Sequence, residues 1–172
     1  MLFWHLGMTA AIVFLTLGKR RIDYRVVLLG SILSDLIDKP IGRIFFEDTF
    51  QTSRLFAHTL LFVVILVLGM QLFLRGERAR RWYVLAVAVL LHLVLDGLWS
   101  DPITLFWPAF GTEFPPHAVD SYWLDVFLRP LRHPVEGLKE LVGLGILFYM
   151  AYAYKLFDKN VRRDFVRTGK LI

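Results

Sequence analysis

The chain has 172 residues, 56% of them hydrophobic, and its mean hydropathy of +0.55 lies far above that of a soluble globular domain. We therefore predict an integral membrane protein built as a single domain over residues 1–172. In a membrane protein, a net charge of +5 is typical of basic cytoplasmic loops, so we expect no nucleic-acid partner. The absence of cysteine excludes disulfides and thiolate metal sites, so a metal would need histidine and carboxylate ligands.

Apolar runs predict an all-α bundle of about five membrane-spanning helices. The predicted spans are residues 2–17, 26–46, 55–74, 82–107 and 137–154, with an outer loop over 108–136 and a cytoplasmic tail over 155–172. Basic residues follow the first apolar run instead of preceding it, so we expect a retained span and not a cleaved signal peptide. In the second span, Pro40 and Gly42 should bend or break the helix.

Charge predicts the orientation of these spans. Basic clusters at residues 19–25, 75–81 and 155–170 alternate with loops that carry no basic excess. By the positive-inside rule, the N-terminus is expected outside and the C-terminus inside a multi-pass protein. Within the outer loop, the segment SYWLDVFLRPL is amphipathic and is expected to lie on the membrane surface.

Two ionisable residues, His92 and Asp96, interrupt the apolar segment LLHLVLDG. At i and i+4 on a helix, their side chains share one face. A carboxylate at the centre of a membrane helix costs about 2.5–3.5 kcal/mol on the insertion scale. We therefore expect a compensating partner, which would be a bound cation, an opposite charge or a water-filled cavity.

Other spans supply companions for this pair. Asp35 and Asp38 stand at i and i+3 in SDLIDKP, while His5 and His58 lie near the outer ends of their spans. At about 1.5 Å of rise per residue, these groups fall in one outer-half layer with a spread of about 10 Å. The alternatives are a helix end rich in turn-forming residues for SDLIDKP and ordinary interfacial histidines for His5 and His58.

The combined donor set predicts metal chemistry. Three histidines with two or three aspartates suffice for one metal with an open position, or for two metals that share a carboxylate. These ligands suit zinc, manganese or iron without choosing among them, and zinc is the metal we expect first. In the outer loop, His117, Asp120, Asp125 and His133 are interpreted as ordinary polar residues, although a loop over the site could supply one further ligand.

The order of His5, GSILSDLIDKPIGR, RLFAHTLLF and LLHLVLDGLWSDPITLFWPAFG resembles a family of membrane-bound metal-dependent hydrolases related to the LexA-regulated inner-membrane protein of enteric bacteria. The resemblance covers residues 5–111 and implies a bacterial or archaeal cytoplasmic (inner) membrane protein. It implies a metal set of His5, Asp35, His58, His92 and Asp96, with Asp38 at the second acidic position. Ser34 and Thr59 depart from the usual Pro and Ser. A looser similarity to zinc-dependent phospholipase C lacks that enzyme's later His and Glu ligands.

These observations predict an enzyme that hydrolyses phosphoester bonds in a membrane lipid or lipid-linked substrate, using a metal-activated water in the outer half of the membrane. Asp38 would orient a ligand or act as general base, and Arg54 would either contact the substrate phosphate or reach to the interface. The alternative is a divalent-ion or proton transporter that uses the same intramembrane cluster. A membrane scaffold is a third hypothesis, and it leaves the aspartates unexplained.

Overall fold

The computed structural model describes residues 1–17, 22–116 and 132–171, without the side chains of 77–81. All regular secondary structure in these ranges is helical, which confirms the predicted all-α class. The helices are α1 (Leu2–Leu17), α2 (Tyr24–Pro40), α3 (Glu47–Phe50), α4 (Leu60–Phe73), α5 (Glu77–Leu95), α6 (Pro102–Leu105), α7 (Pro134–Ala153) and α8 (Lys159–Thr168). The amphipathic segment 121–131 and the loop residues His117, Asp120 and Asp125 lie outside the described residues.

Helix α1 has the bounds predicted for the first span. Helix α2 ends at Pro40 and is followed by a π-helical turn, Ile41–Phe45, so the regular helix is disrupted where Pro40 and Gly42 predicted a bend. The other two helices that matter for the site differ from prediction. His58 ends a 3₁₀ turn, Phe56–His58, and Thr59 then caps α4 by accepting a hydrogen bond from the Phe62 N–H. His58 therefore precedes its helix and does not lie inside it.

The helix predicted over 82–107 ends at Leu95. Gly97 takes a left-handed conformation with φ of 73°, which an L-residue rarely adopts and which closes the helix. Asp96 is consequently the residue just past the helix end, and its backbone N–H still bonds the His92 carbonyl at 2.9 Å. The i, i+4 relationship between His92 and Asp96 is thus preserved at a helix terminus.

Among the described residues, no helix has the combination of length and apolar content that crossing a membrane requires. The five-span arrangement remains a prediction.

Helices α1 and α7 run parallel and pack closely. The Phe3 N–H bonds Glu140 near the start of both helices, and Phe14 packs on Tyr154 near their ends. Between these contacts Gly7 faces Gly143, where a Cβ on either glycine would collide with the backbone of the other helix. The two small residues therefore set how closely the helices approach.

Helices α2 and α5 also run parallel. Gly30 lies against Leu85 and Ala88, and further along α2 the Ser31 carbonyl reaches His92. Consecutive long helices thus alternate in direction, which brings the starts of α1, α4 and α7 together with the ends of α2 and α5. We call this the site end, and we call the opposite end of the bundle the tail end.

The tail end contains a buried apolar cluster that includes part of the C-terminal segment. Its members are Val13, Ile22, Tyr24, Val27, Val84 and Leu171. The Tyr24 N–H bonds the Gly169 carbonyl at 2.7 Å, and Leu171 is only 3% exposed. The segment predicted as a cytoplasmic tail is therefore folded against the start of α2.

The outward faces of α4 and α7 are apolar. The exposed large side chains on these helices are Leu61, Val64, Ile65, Leu68, Leu72, Phe73, Val135, Leu138, Leu141, Val142, Leu144, Phe148, Tyr149 and Tyr152. Apolar faces of this extent need a partner or a lipid environment to cover them.

Candidate metal centre

Asp38 anchors the segment that carries His58. Its carboxylate is fully buried and accepts hydrogen bonds from the backbone N–H groups of Leu55 (2.8 Å), Ala57 (3.0 Å) and His58 (3.1 Å). The imidazole Nδ1 of His58 donates to the same carboxylate at 2.7 Å. A single buried charge therefore fixes both the backbone turn and the ring orientation of His58.

Gly42 allows this segment to approach α2. A Cβ at Gly42 would collide with the Thr52 carbonyl, so a side chain there would push the loop away from the helix. The same loop carries Arg54, whose backbone N–H bonds the Thr52 hydroxyl at 3.2 Å. The disruption predicted at Pro40 and Gly42 thus serves to seat the loop that carries Arg54 and His58.

The other two histidines are held by backbone carbonyls. The Nδ1 of His92 donates to the Ser31 carbonyl at 2.7 Å, and the Nδ1 of His5 donates to the Met1 carbonyl. The His5 and His92 rings lie with their centroids 4.3 Å apart. Because a carbonyl can only accept, Nδ1 must carry the proton, which leaves each neutral ring a lone pair on Nε2.

Three of these elements bring their ligand atoms together. The Nε2 atoms of His58 and His92 are 3.5 Å apart, and Asp35 Oδ1 lies 3.6 Å from the first and 3.9 Å from the second. All three ligand atoms lie within 4.8 Å of one another. Asp35, His58 and His92 therefore form a group that could hold a metal ion, as the sequence predicted, although the geometry does not select the metal.

Asp96 and His5 adjoin this group. His5 Nε2 is buried without a hydrogen-bond partner among the described residues, and it lies 3.6 Å from Asp96 Oδ1. The other carboxylate oxygen of Asp96 pairs with the Arg54 guanidinium at 2.8 Å, and the same nitrogen bonds the Asp96 carbonyl at 3.1 Å. Arg54 is thereby held at the edge of the cluster.

Burial differs between the two sides of the cluster. The three histidines are at most 1% exposed, whereas the Asp35 and Asp96 side chains are 19% and 16% exposed. Lys39, which pairs with Asp35 at 2.5 Å, is 30% exposed and Arg54 is 29% exposed, so both cations are more exposed than their carboxylate partners. The carboxylates and cations therefore form the accessible side, and the imidazoles form the buried side.

The donor set fits a divalent metal. When the imidazoles are neutral, as metal ligands must be, the carboxylates of Asp35, Asp38 and Asp96 in the described cluster outnumber the cations of Lys39 and Arg54. The unpartnered Nε2 of His5 and the neighbouring Nε2 atoms of His58 and His92 are the nitrogen atoms that could bind a metal ion. Imidazole and carboxylate are the ligands of zinc, manganese and iron sites.

The structure places the five predicted ligands, His5, Asp35, His58, His92 and Asp96, at the site end, with Asp38 and Arg54 in direct contact with members of the set. His133 is exposed at the start of α7 and is in no contact with the cluster. Sequence reasoning missed Lys39 and Ser31. The i, i+4 spacing of Asp35 and Lys39 could have revealed the first, but a backbone carbonyl such as that of Ser31 leaves no sequence signal.

The fold and the cluster define a helical protein with a candidate metal centre at one end of its bundle. A family model described as YdjM inner membrane protein matches residues 1–161, and the chain belongs to this family. The membership supports a location in the inner membrane and confirms that part of the sequence resemblance. No curated protein and no solved structure matches the chain.

Proposed function

We propose that this protein is a membrane-embedded, metal-dependent hydrolase of phosphoester bonds in a lipid or lipid-linked substrate. The observation that carries the proposal is the arrangement of His58, His92 and Asp35. The two imidazole Nε2 atoms lie 3.5 Å apart beside a carboxylate oxygen, so a single cation could be held by all three atoms. A divalent metal there, most simply zinc, would supply Lewis acidity that activates water and offsets charge on phosphoryl oxygens.

The accessible side of the cluster supports an enzyme over a purely structural metal site. Structural sites are closed by protein ligands, whereas catalytic sites keep a position open. In the described cluster, the Asp35 and Asp96 side chains are partly exposed, and no further histidine covers them from the solvent side. Asp38, whose carboxylate already accepts four hydrogen bonds, acts in this proposal as the residue that orients His58, rather than as the general base.

Arg54 is the proposed contact for the substrate phosphate. Its guanidinium lies at the edge of the cluster and already pairs with a carboxylate, a group that presents oxygens much as phosphate does. Because Asp96 holds the guanidinium from one side, the remaining N–H donors are available to an incoming anion. The residue would thereby place the phosphorus next to the metal ligands.

A multi-pass arrangement in the membrane is the second part of the proposal. The family is one of inner-membrane proteins, the long helices alternate in direction, and the outer faces of α4 and α7 are apolar. With the N-terminus outside, the site end would lie in the outer half of the membrane, within reach of lipid headgroups.

The transporter alternative has less support. Transport sites lie near the middle of the membrane and are commonly built on broken helices related by internal repeats. Here the cluster lies at one end of the bundle, next to the starts of α1 and α4 and the ends of α2 and α5. A group at the bundle end suits a reaction at the headgroup layer better than passage through the protein.

The experiment combines metal content and activity on protein purified in detergent without chelators. We expect stoichiometric zinc, manganese or iron in the wild type, its loss in Asp35→Asn and His92→Ala, and release of product from a panel of phospholipids by the wild type alone. His133→Ala is the matched control, since it removes an exposed histidine outside the cluster. A metal-free wild type would overturn the proposal, as would ion flux in liposomes without any hydrolysis product.

A further inference from the structure

Helix α8 is a basic helix held firmly at the tail end. Asp158 caps its start by accepting bonds from the N–H groups of Asn160 and Val161, and Gly169 closes its end with φ of 70°. The Arg25 side chain donates to the Val166 carbonyl at 2.6 Å. With the Tyr24 to Gly169 bond and the burial of Leu171, these contacts fix how the helix faces the bundle.

One face of α8 is basic and exposed. Val161 and Phe165 are partly buried toward the protein, whereas the basic side chains point away from it. The exposed basic residues of α8 are Lys159, Arg162, Arg163 and Arg167, and Lys170 follows the helix end. Among the described residues, none of these cations forms a salt bridge, and only Arg162 acts on a nearby carboxyl, that of Asp158. Most of this positive charge is therefore available to an external partner.

Exposed apolar side chains adjoin this basic face. Phe157 is 60% exposed and packs on Phe148 with ring centroids 5.6 Å apart, and Val166 on α8 itself is 61% exposed. Phe148 belongs to the apolar outer face of α7, which ends only a few residues before α8 begins. The apolar face of the bundle therefore leads directly into a basic surface.

We propose that the basic face of α8 binds the headgroups of anionic phospholipids at the membrane surface. An amphipathic basic helix next to an apolar wall has the chemistry of a membrane interface, where apolar groups enter the acyl region and Lys and Arg meet lipid phosphates. The inference rests on the proposed insertion of the bundle in the membrane and is independent of the hydrolase activity.

The exposed apolar residues decide between lipid and nucleic acid as the partner. A nucleic-acid surface offers phosphates but no apolar layer, so Phe157 and Val166 would remain uncovered beside it. A lipid surface covers both kinds of side chain at once. The basic face of α8 lies at the tail end, whereas the metal-ligand cluster lies at the site end, so the two charged regions are at opposite ends of the bundle.

The experiment measures thermal unfolding of the full chain in mixed micelles of an uncharged detergent with added phosphatidylglycerol or phosphatidylcholine. We expect phosphatidylglycerol alone to raise the unfolding midpoint of the wild type. In the double variant Arg162→Gln/Arg163→Gln, the phosphatidylglycerol needed for half of that rise should increase roughly 30-fold, which corresponds to about 1 kcal/mol for each arginine. Gln preserves helix propensity, so α8 should still form.

The matched control is Arg162→Lys/Arg163→Lys, which keeps both positive charges at the same positions and should respond like the wild type. An Arg162→Gln/Arg163→Gln protein that responds to phosphatidylglycerol like the wild type would overturn the inference. So would an equal effect of phosphatidylcholine, or a duplex DNA that raises the midpoint where phosphatidylglycerol does not. Phosphatidylglycerol that binds at the metal cluster would raise the midpoint of the wild type and of both α8 variants alike. The inference is read from the difference between these proteins, so failure of the hydrolase proposal leaves this result untouched.

Discussion

Asp38 and His58 form a buried pair in which the imidazole Nδ1 donates to carboxylate Oδ2 at 2.7 Å, while the same oxygen accepts the backbone N–H groups of Leu55 and His58. The pair joins the end of α2 to the turn before α4. One side chain thus controls the fold of the loop and the direction of a metal-ligand candidate, so its replacement should affect both stability and metal affinity.

The first prediction concerns Asp38→Asn. The amide can offer only one oxygen, so at least one buried N–H loses its acceptor, at an expected cost of about 1–3 kcal/mol in the free energy of unfolding. Loss of the carboxylate behind His58 should weaken metal binding by about 10- to 100-fold. Denaturant unfolding in detergent and metal titration measure the two effects. Asp35→Asn is the companion variant, expected to lose metal with little loss of stability, and an Asp38→Asn protein that binds metal normally would contradict the prediction.

The second prediction concerns Arg54. Arg54→Gln should keep the metal but lose the charged hydrogen bond to the substrate phosphate. At about 1.5–3 kcal/mol for such a bond, kcat/KM should fall by about 10- to 150-fold. Arg54→Lys should recover only part of the loss, because an ammonium cannot pair with two oxygens as a guanidinium does. The measurement is steady-state hydrolysis at fixed metal content; unchanged kcat/KM in Arg54→Gln would show that this residue only supports Asp96.

The third prediction tests the contact between α1 and α7. A Cβ at Gly143 would lie 2.5 Å from the Trp4 backbone nitrogen and closer still to the Phe3 carbonyl, so Gly143→Ala should cost about 1–3 kcal/mol. Since His5 follows directly on α1, metal affinity should fall as well. Gly145→Ala is the control two residues away, where no atom lies within 4 Å, and the better helix propensity of Ala should stabilise it by up to about 1 kcal/mol. Equal behaviour of the two variants in thermal unfolding would refute the close contact.

The fourth prediction concerns pH and the docking of α8. Hydrogen bonds from the backbone N–H groups of Val161 and Asn160 lower the pKa of Asp158 below its usual value. A carboxyl with a lowered pKa in the folded state stabilises that state above its unfolded pKa of about 3.9 and loses this contribution as pH falls through the folded value. Hydrogen exchange at the Tyr24 amide, corrected for its intrinsic rate, should therefore show equal protection at pH 7 and pH 5 and less at pH 3. Asp158→Asn keeps a cap without a titratable group and should reduce the difference between pH 5 and pH 3, while the carboxyl of Asp23 beside Tyr24 continues to titrate.

The sequence predicted α1 and the disruption after α2 well because both follow from local chemistry. The first helix follows from an apolar run that is bounded by charged residues. The disruption after α2 follows from the ring of Pro40 and from the missing side chain of Gly42. The prediction for His58 was wrong in its local structure, since the hydroxyl of Thr59 starts the helix one residue later. A capping residue inside an apolar run is visible in sequence, but hydropathy alone gives it no weight.

The sequence predicted which residues form the candidate site better than it predicted the contacts between them. Depth along the expected spans placed His5, Asp35, His58, His92 and Asp96 in one layer, and the described residues do meet at one end of the bundle. The sequence did not reveal that Arg54 would pair with Asp96, or that a carbonyl would orient His92. Such contacts depend on how helices distant in the chain are rotated against each other, and periodicity within one helix does not encode this.

The hydrogen bonds behind the imidazoles have a consequence for handling the protein. Each ring is fixed through Nδ1 by a partner that belongs to the fold, namely the Met1 carbonyl, the Ser31 carbonyl or Asp38, and none of these partners is a metal ligand candidate. The rings therefore keep their positions when an ion leaves. We expect stripping with a chelator to be reversible, with the emptied protein taking up metal again at once and without a refolding step.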